Sequence, residues 1–156
     1  MIKGIIFDFD GVICESVDVK TDGFSMIYKP YGKEILNKVI GHHLKNGGVS
    51  RFKKIRFYHS EFLGKDLTDK ELKNLLDKFS EYVVQKVIEA PFVKGAFEFL
   101  ESSNQKYQMH ISTGTPQNEI EFIVKRKNIY NFFKSIHGSP DDKIMHIKKG
   151  LPYVKN

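Results

Sequence analysis

The chain has 156 residues, 40% of them hydrophobic and 28% charged, a formal net charge of +6 and a single cysteine. That size fits one domain, or a small core carrying an inserted lobe, and suffices to bury roughly two-thirds of the unfolded surface without disulfides or metals as staples. The composition excludes a disordered chain, no apolar run approaches the roughly 20 residues of a membrane span, and Cys14 alone excludes an internal disulfide. The first ten residues, MIKGIIFDFD, carry two carboxylates where a secretory signal stays apolar. A reducing cytoplasm is therefore the expected location. The basic surface suits anion steering. Only Arg51, Arg56 and Arg126 are arginines among 25 basic residues, so neither nucleic acid nor membrane is expected as a partner.

Residues 2–9 form an apolar run ended by Asp10-Gly11, the pattern of a buried strand and a turn. Helical periodicity follows over 17–29, over 33–46 up to Gly47-Gly48, and over 50–63. A fourth helix opens at Thr68, with Glu71 completing a capping box, and stops at Ala90-Pro91. Beyond Pro91 the pattern alternates: a helix at 95–103, a strand at 107–113, a helix opened by Thr115-Pro116 with Thr115 as its cap, a strand at 134–138, and a helix from about Asp141 to Gly150. The expected fold is α/β, with a core of residues 1–14 and 91–156 and a helical lobe of residues 15–90 inserted after the first strand.

Asp8-Phe9-Asp10-Gly11 is the segment that points to chemistry. The strand period of two turns Asp8 and Asp10 the same way, at the strand end where parallel sheets bind ligands. Two carboxylates so close favour a shared cation or a retained proton, which suits phosphate chemistry with Asp10 as a general acid. Gly11 allows a tight turn and brings its N–H toward an anion. His42, His43 and His59 lack metal-ligand spacing and read as surface or lobe residues. Cys14 reads as a small packing residue.

Three ordered segments, GIIFDFDGVICES, MHISTGTP and FFKSIHGSPDDK, resemble the motifs of the haloacid dehalogenase-like (HAD) hydrolases, in the branch of phosphoglycolate phosphatase and β-phosphoglucomutase. The resemblance implies a Rossmann-like three-layer parallel core with a helical cap. It implies Asp8 as a nucleophile that takes the phosphoryl group, and Asp10 as the acid and base. Thr113 and Gly114 would hold phosphoryl oxygens, Lys143 would neutralise charge, and Asp8 and Asp10 would hold Mg²⁺. Gly48-Val49-Ser50-Arg51 is similar to a cap motif whose arginine meets the substrate; this makes Arg51 a substrate-binding residue beside Gly11 and Gly114, with Lys53 and Lys54 as weaker candidates.

The sequence departs from the pattern after Lys143. The 13 residues that follow contain no aspartate or glutamate, so the family's fourth, acidic motif is missing and the core is expected to be truncated. In the family's sheet order the strand carrying that motif flanks the first strand, so the resemblance implies that the first strand is here an apolar edge, a pairing hazard that another chain, as in a homo-oligomer, or a rearranged C-terminal segment would cover. The leading expectation is Mg²⁺-dependent hydrolysis of a small phosphorylated metabolite through an aspartyl-phosphate on Asp8. The alternative is a catalytically weak remnant that binds a ligand or a partner protein.

Overall fold

A computed structural model describes residues 2–150. The first strand, β1, is Gly4–Phe7. Helices α1 (Val17–Tyr28), α2 (Lys33–Lys45), α3 (Arg51–Phe57) and α4 (Asp69–Glu89) follow before the chain returns to the sheet. Helix α5 (Ala96–Ser103) leads to β2 (Gln108–Pro116), α6 (Gln117–Arg126), β3 (Ser135–Ser139) and α7 (Lys143–Gly150). A single π turn, Tyr58–Phe62, continues α3.

Local signals explain the boundaries. The Thr68 side chain accepts from the Glu71 N–H while Glu71 reaches back to the Thr68 N–H, closing the capping box at the start of α4; such caps contribute about 1 kcal/mol. Ala90 is extended (φ −60°, ψ 141°) ahead of Pro91 and ends that helix. The opening of α6 differs from expectation. Strand β2 runs on to Pro116, which becomes the residue before the helix, and no side chain caps it. The Thr115 hydroxyl instead accepts a hydrogen bond from Lys20.

The three strands are parallel in the order β1-β2-β3. Central β2 is buried along most of its length, as expected for a parallel strand covered on both faces. Met109 and Ile111 pack in one apolar cluster with Leu100 of α5 and Ile120, Ile123 and Val124 of α6. Ser112, of opposite parity, hydrogen-bonds His146 of α7 at 2.8 Å. Helices thus cover both faces of the sheet, giving a three-layer, Rossmann-like core. Among the described residues β1 pairs only with β2, so it is an edge strand as expected.

A second apolar cluster joins Phe24, Ile27 and Tyr28 of α1, Val39 of α2, Ile55 of α3, and Leu72, Phe79 and Val83 of α4. Val87 and Ala90, at the end of α4, pack with the first cluster. Among the described residues no helix is long and apolar enough to cross a membrane.

Candidate active site

The loop after β1 is organised by Phe9. Its ring is fully buried, and its carbonyl accepts from the N–H groups of Val12, Ile13 and Cys14. With Phe9 turned inward, its two neighbours, Asp8 and Asp10, both line one cavity of about 150 Å³ between the sheet and the helices of the insertion. Gly11 adopts φ +72°, which favours glycine, and a Cβ there would meet Val17 at 2.9 Å. Its N–H donates to the Cys14 carbonyl at 2.7 Å. That hydrogen is engaged in the turn, so the expectation that it is free to meet an anion is corrected.

Each aspartate is held by a lysine. Lys143 Nζ lies 2.6 Å from Asp8 Oδ2, while the Phe9 N–H donates to Asp8 Oδ1 at 2.7 Å. Helix α7 delivers Lys143 from its first turn, where Asp142 caps the helix by accepting from the Met145 N–H. Lys20, one turn into α1, lies 2.5 Å from Asp10 Oδ2 and 2.6 Å from Thr115 Oγ1. The Ser16 hydroxyl donates to Asp10 Oδ1 at 2.6 Å. All four carboxylate oxygens therefore already accept a hydrogen bond.

Thr113 is buried near the end of β2, and its hydroxyl accepts from the Thr115 N–H at 3.2 Å. It lines a second hollow with Gly48, Gly114 and Lys143; Gly48 and Gly114 also line the first. Gly114 lies so close to the lobe that a Cβ would come within 2.5 Å of the Gly48 carbonyl. Gly48 itself has φ +80°, and a Cβ there would overlap the Lys143 side chain at 2.7 Å. These two glycines let strand, loop and lysine converge.

Arg51 also lines the first cavity but is buried and ion-paired to Glu119 of α6, which also accepts from Ser80 of α4 at 2.7 Å. Lys53 lies on the second hollow. Lys54 is buried, 3% exposed, and donates to His43 Nδ1 at 3.0 Å. Burial and then the nearby Lys20 charge lower the Lys54 pKa to about 8. Burial and then Lys54 lower that of His43 to about 4. His43 and His59 are thus buried rather than superficial. Cys14 is fully buried, and burial raises its thiol pKa, consistent with a packing role.

Residues 5–148 match the family model described as haloacid dehalogenase-like hydrolase. The chain belongs to this family. It is similar in fold to a β-phosphoglucomutase of Clostridium difficile, with a TM-score of 0.76 at 22% identity, over 97% of this chain and 72% of that one. A Haemophilus somnus protein described as a predicted phosphoglycolate phosphatase gives 0.67 at 18% identity, over 97% and 72%. A Bacillus subtilis protein described as a HAD-type hydrolase bound to magnesium gives 0.62 at 14%, over 88% and 65%. At such identities the likeness is one of fold. A search of curated proteins returns no match.

Sequence reasoning missed Lys20 and Glu119. Lys20 is one of many lysines, and its only signal is its place one turn into the helix that follows Asp10. Glu119 sits in the first turn of α6, where an acid is ordinarily explained by the helix dipole. Among the described residues, no group of three acidic, histidine or cysteine side chains forms a metal site. Asp8 and Asp10 are the residues that would hold a magnesium ion, which would keep waters or phosphate oxygens as its other ligands. Each carboxylate oxygen retains a second lone pair for that purpose.

Proposed function

We propose that the chain hydrolyses small phosphate monoesters by covalent transfer to Asp8. The observation that carries this reading is the 2.6 Å pair of Lys143 with Asp8, drawn from opposite ends of the chain at the end of a parallel strand. An oxygen of Asp8 attacks phosphorus, and the bond from phosphorus to the ester oxygen breaks. Asp10 supplies the proton that the leaving alcohol takes. Water then attacks the aspartyl-phosphate and gives its proton to Asp10; the bond from phosphorus to Asp8 breaks and inorganic phosphate leaves. Lys143 fixes the rotamer of Asp8 and cancels charge that would repel the incoming phosphoryl oxygens. Thr113 and Gly114 are assigned to those oxygens. Lys20 and Ser16 orient Asp10. Magnesium, when bound by Asp8 and Asp10, supplies charge neutralisation to the phosphoryl group.

Residues 15–90 are assigned as a cap that excludes water, with Gly11 shaping the turn and Arg51 binding substrate only after it exchanges Glu119 for an anion. A small phosphorylated metabolite is the proposed partner, in a reducing cytoplasm, without nucleic acid or membrane. The experiment is hydrolysis of p-nitrophenyl phosphate with Mg²⁺. The unaltered chain turns over, and Asp8→Asn loses at least about 10³-fold. Equal rates for both would overturn the reading. Absence of turnover with retained binding of a phosphate analogue would favour the ligand-binding remnant instead.

A further inference from the structure

We propose that His146 is a positioning residue for Lys143: it clamps α7 to the sheet in the orientation from which the lysine reaches Asp8. The proposal rests on the phosphohydrolase reading of that pair and deepens it. Its first ground is an inversion of burial along α7. Ile144, Met145 and Ile147 are exposed, whereas His146 is 3% exposed and is the buried side chain among the described residues of the helix. Apolar packing, the usual way a helix is held on a sheet, contributes little here.

The second ground is what the histidine holds. Its Nε2 lies 3.0 Å from the Gly138 carbonyl of β3, and its Nδ1 lies 2.8 Å from the Ser112 hydroxyl of β2. A carbonyl only accepts, so Nε2 carries the hydrogen and Nδ1 accepts from Ser112. Both anchors are themselves fixed. Ser112 is the last residue of β2 in register with β3 before the ladder shifts, and Gly138 falls within that shift. The Gly138 N–H donates to Gln117 Oε1 at 2.6 Å, and a Cβ at Gly138 would meet the Thr115 carbonyl at 2.5 Å. His137, the register partner of Ser112, stacks on His146 with ring centroids 5.5 Å apart. Its own ring is tied through the Ser135 hydroxyl to His110, at 2.7 Å for each bond.

Two directional bonds fix the rotation of a helix as an apolar contact does not. Residues three apart share a helix face, so the clamp acts on the turn that carries Lys143. A rotation of α7 by about 20° would carry a side-chain tip roughly 6 Å from its axis through about 2 Å, enough to break the 2.6 Å contact with Asp8. Misplacement of a reacting group by about 1 Å can cost on the order of 100-fold in rate.

The test uses the whole chain with p-nitrophenyl phosphate and Mg²⁺. In the Ser112→Ala, His146→Leu double variant both hydrogen-bonding side chains become apolar groups of similar shape, a change close to neutral for folding. There kcat is expected to fall at least about 10-fold, with KM within about 2-fold and the denaturant midpoint unchanged. His146→Gln, whose amide can donate to Gly138 and accept from Ser112, restores most of that rate. A second readout needs no turnover: the rate at which acetic anhydride acetylates Lys143, followed by peptide mass spectrometry. Release of the lysine from Asp8 is expected to raise that rate about 3- to 5-fold in the double variant, and His146→Gln lowers it again. Unchanged kcat or unchanged acetylation in the double variant would overturn the proposal, as would a loss of rate that tracks a lower denaturant midpoint. Absence of turnover in the unaltered chain would overturn the phosphohydrolase reading, and the acetylation rates would still decide the role of His146.

Discussion

His43 shows how one buried side chain ties the site to stability. Its pKa is lowered from 6.5 to about 4, first by burial and then by the Lys54 charge, with Lys20 and His42 acting in the same direction and Asp10 opposing. Between these values the unfolded chain binds more protons than the folded one. The contribution is fully present above about pH 6.5 and is lost as pH falls toward 4. The decline in unfolding free energy over that window is expected to be on the order of 2–3 kcal/mol from this group, and shallower in His43→Gln, as read from denaturant midpoints at each pH. Identical pH profiles for the two proteins would contradict this account. None of it was legible in the sequence. The spacing of His43 marks it only as a surface or lobe residue, and packing against Phe24 and Lys54 is what buries it.

Among the elements, the strand–loop–helix from β1 to α1 and the capping-box helix were legible. Their signals are local: an apolar run ended by Asp-Gly, and Thr68 with Glu71 three residues on. The junction of β2 with α6 was not. Thr115-Pro116 has the form of a helix opening, but the long-range bond from Lys20 to the Thr115 hydroxyl competes for that cap. The approach of β2 to the loop before α3 was equally hidden, since a glycine in a sequence does not reveal what lies against it. Gly114→Ala places a methyl group 2.5 Å from the Gly48 carbonyl. Backbone must move, and the expected cost is about 1–3 kcal/mol, with a lower denaturant midpoint and weaker phosphate-analogue binding. Unchanged stability and binding would show that strand and loop do not meet in solution.

At the scale of the molecule, three motifs in chain order made the family and the fold legible in advance, and the structure brings two of the residues they single out, Asp8 and Lys143, into an ion pair. Lys20 and Glu119 escaped because their partners lie 10 residues or more away. Ile2, just before β1, and Ile6 within it are 71% and 42% exposed, and Phe99 of α5 is also exposed. We propose that a second copy covers this edge, and sedimentation equilibrium is expected to give a dimer. A monomer over the micromolar range would contradict that. The central claim is different and does not need a dimer: Asp8 carries the phosphoryl group. Acid quenching of the chain during turnover of p-nitrophenyl phosphate, followed by peptide mass spectrometry, tests it most directly. The account predicts a phosphoryl adduct on the peptide at Asp8, absent from Asp8→Asn. Turnover with no adduct at Asp8, or with an adduct on another residue, would contradict it.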